Sequence, residues 1–304
     1  MTQIVSSQAD VVKKLQYYNE GLMSTPANFA KAIPSSTSFT QVGKNCTWNY
    51  SDEITAEEER GIGSLTRTDR VVTRKRGTLS LTTNITDDDA NFVKYCMNAN
   101  DDTTATASSS LAFVFSFKVA GTETFRILKG CLPESASINV SNTGFVEFTA
   151  TFAVYSPEDE VTTSNGGLTT PTFATQSTNT SWSHSDSGSN PFTWDSVTYP
   201  EMGFNIDVSY EHTVLESSGD LTIQWASISQ RNISGSASVF KKDSLLQADT
   251  TAGNKVTASR VLKTSTLTAT FTEAVIDTNP YSVSADSSAT IEELSFTAKE
   301  LALA

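Results

Sequence analysis

The sequence predicts a mainly β protein of two domains, and three observations carry that reading. Hydroxyl side chains dominate: 41 serines and 44 threonines exceed a quarter of the 304 residues. Threonine suits pleated, half-exposed surfaces, while serine suits turns. Apolar and polar residues alternate with period two in several runs, the pattern of strands with one face in a core. A long polar stretch without sustained period, residues 156–202, separates two sets of such runs and marks a domain boundary.

In chain order, residues 1–33 read as an N-terminal arm. Val11, Val12, Leu15 and Tyr18 sit near helical spacing there, and Gly21 with Pro26 closes the segment. Residues 34–155 read as the first β domain. Leu111, Phe113, Phe115 and Phe117 alternate with Ala112, Val114, Ser116 and Lys118; Val146, Phe148, Ala150, Phe152 and Val154 alternate with Glu147, Thr149, Thr151 and Ala153. One helix interrupts these strands. Thr86 followed by Asp87, Asp88 and Asp89 is a capping-box pattern, with carboxylates at the positive end of the helix dipole, and Phe92, Val93, Tyr95, Cys96 and Met97 supply its apolar residues. Residues 156–202 read as a Ser/Thr-rich linker or surface excursion.

Residues 203–304 read as the second β domain. Phe204, Ile206, Val208 and Tyr210 face one way, with Asn205, Asp207, Ser209 and Glu211 opposite. Leu221, Ile223 and Trp225, then Ile233, Ala237 and Val239, repeat the pattern, and Asp243 opens a short helix that ends near Gly253. The halves share an order of parts, with Gly77 aligned to Gly235 and Val146-Glu147 to Ile291-Glu292, as a duplication would leave.

Charge and motif content exclude several functions. With 21 basic and 34 acidic groups, the net charge is −13, which argues against a duplex binder that must neutralise phosphates. No apolar run approaches the roughly 20 residues of a membrane helix, and the N-terminus lacks the order of a secretory signal. Cys46, Cys96 and Cys131 form no CxxC pair, so neither a disulfide framework nor a zinc site is expected. His184 lies in the serine-rich stretch, where neighbouring Ser183, Ser185 and Asp186 do not make a triad, and His212 sits beside Glu211 at a strand end, where it reads as solvated. No catalytic or nucleotide-binding motif occurs. An enzyme is not expected, nor is a cofactor.

One charge cluster stands out. Asp52, Glu53, Glu57, Glu58 and Glu59 precede Arg67, Arg70, Arg74, Lys75 and Arg76, with Gly61 and Gly63 between. Such a segment reads either as a solvated hairpin or as a loop docking on another copy of the chain, where opposed charges set register.

The order of parts then resembles a known family. The arm YNEGLMSTPA, the long charged loop, the basic strand VVTRKRGTLSLTTNITDDDANFVKY leading into the capped helix, and the late strand FVEFTATFAVY, with the pattern recurring in the C-terminal half, resemble the major tail tube protein of long-tailed (siphovirus- or myovirus-like) viruses of bacteria and archaea. The resemblance covers about 34–155 and 203–302. It implies duplicated β-sandwich domains, each with a short flanking helix, whose inner sheets join into a ring-closed barrel. It implies stacking of rings into a hollow tube in the virion tail, assembled in the host cytoplasm, with other tail proteins at its ends. Double-stranded DNA would pass through without specific binding, and no membrane partner is implied. A doubled chain favours a homotrimeric ring with pseudo-sixfold symmetry over a hexamer.

Three chains with eight inner strands each would give a barrel of about 24 strands. At roughly 45° tilt its backbone radius is near 26 Å and its bore about 40 Å. The arm and charged loop would contact adjacent rings. The lumen wall would carry Thr78, Ser80, Thr82, Glu147, Thr149 and Thr151 in the first half, and Ser234, Ser236, Ser238, Ser295 and Thr297 in the second, with Glu292 and Glu293 near a strand start. A capsid decoration or turret protein, or another β-rich surface binding module, is the alternative that the composition allows.

Overall fold

The computed structural model describes residues 14–22, 29–30, 39–59, 69–98, 109–119, 122–158, 164–165, 168–169, 178–188, 191–216, 223–283 and 290–304. In the first half β1 (Lys14–Leu22), β2 (Thr40–Gln41), β3 (Lys44–Glu59) and β4 (Asp69–Asn84) precede the helix α1 (Ala90–Asn98), and β5 (Ser109–Val119), β6 (Thr122–Ser141) and β7 (Val146–Pro157) follow it. A separate two-stranded ladder pairs β8 (Ser164–Asn165) with β9 (Leu168–Thr169). Then come β10 (Phe192–Trp194), β11 (Val197–Tyr199), β12 (Glu201–Leu215), β13 (Trp225–Phe240), the helix α2 (Leu245–Ala252), β14 (Val256–Lys263), β15 (Leu267–Thr278), β16 (Tyr281–Val283), β17 (Thr290–Ala298) and β18 (Glu300–Leu303).

Sixteen of these strands belong to one branched, antiparallel sheet that folds over on itself like a sandwich. Its branching follows from two long strands that serve two layers each. The first part of β6 pairs with β5, and its last part pairs with β7 on one side and β12 on the other. Likewise β15 pairs with β14 early and with β17 late. One layer therefore runs β3·β4·β7·β6·β12·β13·β17·β15 through both halves. Among the described residues the sheet is open and does not close into a barrel.

The strand order β3·β4·β7·β6·β5 recurs as β12·β13·β17·β15·β14, with a helix after the second strand each time. The register shifts recur as well. The shift at Thr55/Ala56 against β4 has its counterpart at Glu211/His212 against β13. That at Pro133/Ser135 against β7 returns at Ile276/Thr278 against β17, and that at Leu111/Phe113 against β6 at Val256/Ala258 against β15. Counting from these shifts corrects the alignment expected from sequence. Tyr50 takes the place of Ile206, so their partners Leu79 and Gly235 correspond, not Gly77 and Gly235. Glu147 then corresponds to Ile291 and Phe148 to Glu292. Each glycine nonetheless has a steric reason: a Cβ on Gly77 would lie 2.4 Å from the Tyr50 hydroxyl and 2.5 Å from its ring, and one on Gly235 2.4 Å from the Phe296 ring.

A single apolar cluster extends from Leu15 to Leu303 across both halves. In the first, Phe92 of α1 meets Phe113, Phe148 and Phe152 at centroid distances of 5.8–6.3 Å; in the second, Phe296 meets Trp194, Phe204 and Phe271. Burial of each such ring contributes about 1.5–3 kcal/mol. The helix α1 starts as its sequence indicates. After a 3-10 turn at Asp87–Asp89, the buried Asp89 carboxylate accepts the Thr86 N–H at 2.8 Å, the Thr86 hydroxyl at 2.7 Å and the Gly43 N–H at 2.8 Å. A buried ion pair joins β14 to β12: Arg260 donates from Nε and a terminal nitrogen to both Glu201 oxygens at 2.9 and 3.0 Å, with neither side chain exposed.

Three expectations are corrected. The arm is not helical over its described part. Lys14–Leu22 is a strand paired with β5, because Leu15, Gln16 and Glu20 are buried there by lateral pairing; Val11 and Val12 lie outside the described residues. The 156–202 stretch is not simply a linker: Trp182, Phe192, Trp194 and Tyr199 are fully buried and β10 pairs with β14, so the second half begins before residue 203. Finally, β5 has both faces covered, with Ala112 and Val114 packing against Phe39 and Ile127 on the side away from the main core.

Candidate functional site

Along the continuous layer, apolar side chains alternate with polar ones, and the register aligns the polar ones into rows. Thr47, Thr82, Thr149, Ser137, Asp207, Ser234 and Thr297 form one row across seven strands. Asn49, Ser80, Thr151, Ser135, Ser209 and Asn232 form a second. Asn84, Glu147, Asn139, Asn205, Ser236, Ser295 and Thr278 form a third. Residues between the rows, such as Phe148, Ile138, Ile206 and Phe296, are buried beneath. Period-two alternation in an antiparallel sheet with one covered face produces this division.

Neighbouring hydroxyls on this face bond across strands: Ser80 to Thr151 at 3.3 Å, Thr82 to Thr149 at 3.2 Å and Thr278 to Ser295 at 2.6 Å. Its carboxylates include Glu147, Asp207, Glu211 and Glu293, with Glu53 at its β3 end. Asp207 accepts from the Asn205 amide, and burial pushes its pKa upward. On β3 the third row ends at Lys44, which stands opposite Asn84; the other positions of these rows hold no lysine or arginine. Two further bases sit at the margins and are already engaged, Arg76 with Glu216 at 3.2 Å and Lys299 with Glu273 at 2.8 Å. A concavity of about 410 Å³ lies over the β6–β12 seam, lined by Ser135, Ser137, Thr149, Asp207, Ser209 and Asn232 among others. Among the described residues no cluster of His, Cys, Asp or Glu could hold a metal.

The sequence-derived wall residues Thr78, Ser80, Thr82, Glu147, Thr149, Thr151, Ser234, Ser236, Ser238, Ser295 and Thr297 all fall on this face. Glu292 does not: it is fully buried on the other face, where Lys241 pairs with it at 3.0 Å. The expectation missed Thr47 and Asn49 on β3, and Ser135, Ser137 and Asn139 on β6. The last three do alternate with Ala136, Ile138 and Val140.

The charged cluster forms two paired strands rather than a loop. Asp52–Glu59 lies in β3 and Arg70–Arg76 in β4, with Glu53 opposite Arg76 and Glu58 opposite Arg70; Arg67 lies outside the described residues. Asp52 accepts from Arg126 at 2.7 Å and from Tyr50 at 2.5 Å, and Arg76 also stacks on Tyr155, 5.6 Å from its centroid.

Both histidines are more enclosed than the sequence suggests. His212 Nε2 donates to the Pro133 carbonyl at 2.8 Å, and Nδ1 accepts from Tyr155 at 2.7 Å, so the ring ties β12 to the first half; burial lowers its pKa. His184 is half-buried, 3.9 Å from Glu201. No protein-family model matches the chain, and no curated protein does.

Proposed function

We propose that this chain is a structural virion protein whose copies close into rings and stack as a tail tube that conducts the genome. The observation carrying the reading is the hydroxyl-and-carboxylate face, with lysine and arginine confined to its margins (Lys44 at the end of one row), that runs over seven strands and across the seam between the halves. Carboxylates repel phosphates, and hydroxyls exchange freely with water, so a polyanion slides past such a wall.

The repeated strand order and register shifts support two copies of one unit per chain, each a sandwich with a flanking helix. They also constrain the ring. Following paired residues from Asn49 through Ser80, Thr151 and Ser135 leads to Ser209, whereas Asn205 holds the place of Asn49 in the second half. Every four strands therefore advance the register by four residues. A barrel closed in this way has equal strand number and shear, which sets the tilt near 36° for any ring size. With about 24 strands at roughly 4.8 Å spacing, the backbone radius is near 23 Å and the bore about 35 Å. This is narrower than the 45° estimate, and still wide for a duplex on the order of 20 Å across.

Electron microscopy of the purified protein tests the reading. Tubes built from rings of three chains with pseudo-sixfold symmetry are expected. Shell-bound knobs would favour a decoration protein, and dispersed monomers under all conditions would overturn the reading.

A further inference from the structure

We propose that the junction between copies repeats the seam inside the chain: the outer edge of β15–β16 in one copy pairs antiparallel with β3 of a second copy, Thr278 opposite Glu53 and Ser282 opposite Asn49. The proposal rests on the ring reading above and deepens it by naming the edges and their register.

The internal seam supplies the template. There β6 meets β12, with Ser135 opposite Ser209, Ser137 opposite Asp207 and Asn139 opposite Asn205. Counting from the shared register shifts, Thr278 holds the place of Ser135 and Ser282 that of Asn139, while Glu53 holds the place of Ser209 and Asn49 that of Asn205. Both proposed edges are open among the described residues: β3 pairs only with β4, and the stretch from Val275 to Val283 pairs only with β17. Open edges of this length invite another strand.

Two details suit the match. Pro280, which lacks an N–H, would block an edge if that side faced outward. Its carbonyl instead accepts from Glu293 of β17 at 2.9 Å, so the residue's hydrogen-bonding side faces inward. In an antiparallel strand Asn279 and Tyr281 then present their backbone groups to the open edge. The Asn279 side chain is also incomplete: its amide nitrogen and oxygen are both enclosed, with no partner among the described residues. In the proposed register Asp52 of the second copy comes opposite Asn279 on the same face of the layer. The polar rows continue across this junction, since Thr278 belongs to the third row and Glu53 lies on the same face of β3 as Asn49.

Thr278 and Glu53 would form a non-hydrogen-bonded pair with Cα atoms about 4.5 Å apart, within disulfide range. They lie at opposite ends of the layer, so a bond between them joins two chains. The test mixes Thr278→Cys chains with Glu53→Cys chains, both carrying Cys46→Ser, under mild oxidation, and compares Thr278→Cys with Asn49→Cys. Linked chains from the first mixture and none from the second are expected. Linkage favouring Asn49→Cys would overturn the register. Normal tubes without linkage, repeated with Pro280→Cys and Ser51→Cys, would overturn the junction and leave the tube reading standing. Dispersed monomers of the unmodified protein would overturn both.

Discussion

Among individual residues, Glu20 shows how burial converts a charge into a pH response. This carboxylate of β1 is 4% exposed and accepts from Ser110 at 2.5 Å, Gly130 at 3.1 Å and Ala30 at 3.2 Å. These bonds favour the ionised form, yet desolvation outweighs them and raises its pKa to about 7. A carboxylate raised on docking stabilises most at low pH. The docked strand keeps its full advantage below the ordinary value near 4.5 and loses it as pH rises to about 7, by on the order of 3 kcal/mol. Protection of the β1 amides against hydrogen exchange, corrected for chemical rates, should therefore fall between pH 5 and pH 8. Glu20→Gln should remove that dependence, because all three donors reach Oε2, which a Gln carbonyl replaces. A wild-type strand equally protected at both pH values would show that Glu20 stays ionised. None of this was legible in KLQYYNEGL, whose apolar spacing suits a helix as well as a strand. Only lateral pairing with β5 decides between them.

Among elements, the far end of the β3–β4 pair lacks a third strand among the described residues. The pairing of β7 with β4 ends at Gly77 opposite Val154, so Glu53–Glu59 and Asp69–Arg76 continue as a two-stranded ribbon. Such ribbons are marginal alone, and opposed charges across the strands contribute only about 0.2–1 kcal/mol per pair. In the ring reading a neighbouring copy provides the missing support. The test variant is Arg70→Glu with Arg74→Glu, and Arg76→Ala, which loses the contacts with Glu216 and Tyr155, serves as the intramolecular control. The double reversal should abolish tubes in electron microscopy while the melting temperature of the monomer holds; tubes of normal length would make the ribbon mere solvated surface. The strands and the capped helix could be read from alternation and from Thr86 with its aspartates. The role of residues 178–200 could not, because serine and threonine surround the four aromatic residues that anchor that stretch. Nor could the seam: which strands meet across 60 residues of chain is a matter of register, not of local pattern.

Across the whole molecule, one polar face spans both halves, and in the ring reading its sign sets what can pass along it. Each chain contributes Glu147, Asp207 and Glu293 among hydroxyls and amides, and every ring would repeat them. A lysine placed in these rows would likewise recur in every ring, where each copy could bind a phosphate and release a counterion. Ser236 is exposed and Thr149 half-buried on this face, so neither Ser236→Lys nor Thr149→Lys disturbs the apolar layer beneath. Tubes should therefore assemble from either variant. Genome release should be slower than in wild type, and the difference should widen at low salt, where screening lengthens from about 8 Å near physiological ionic strength to about 30 Å at 0.01 M. The comparison separates two causes of slow release. A wall that binds phosphate responds to salt, whereas one merely narrowed by a longer side chain does not. Release from Ser236→Lys particles that matches wild type even at low salt would mean that this face lies away from the nucleic acid.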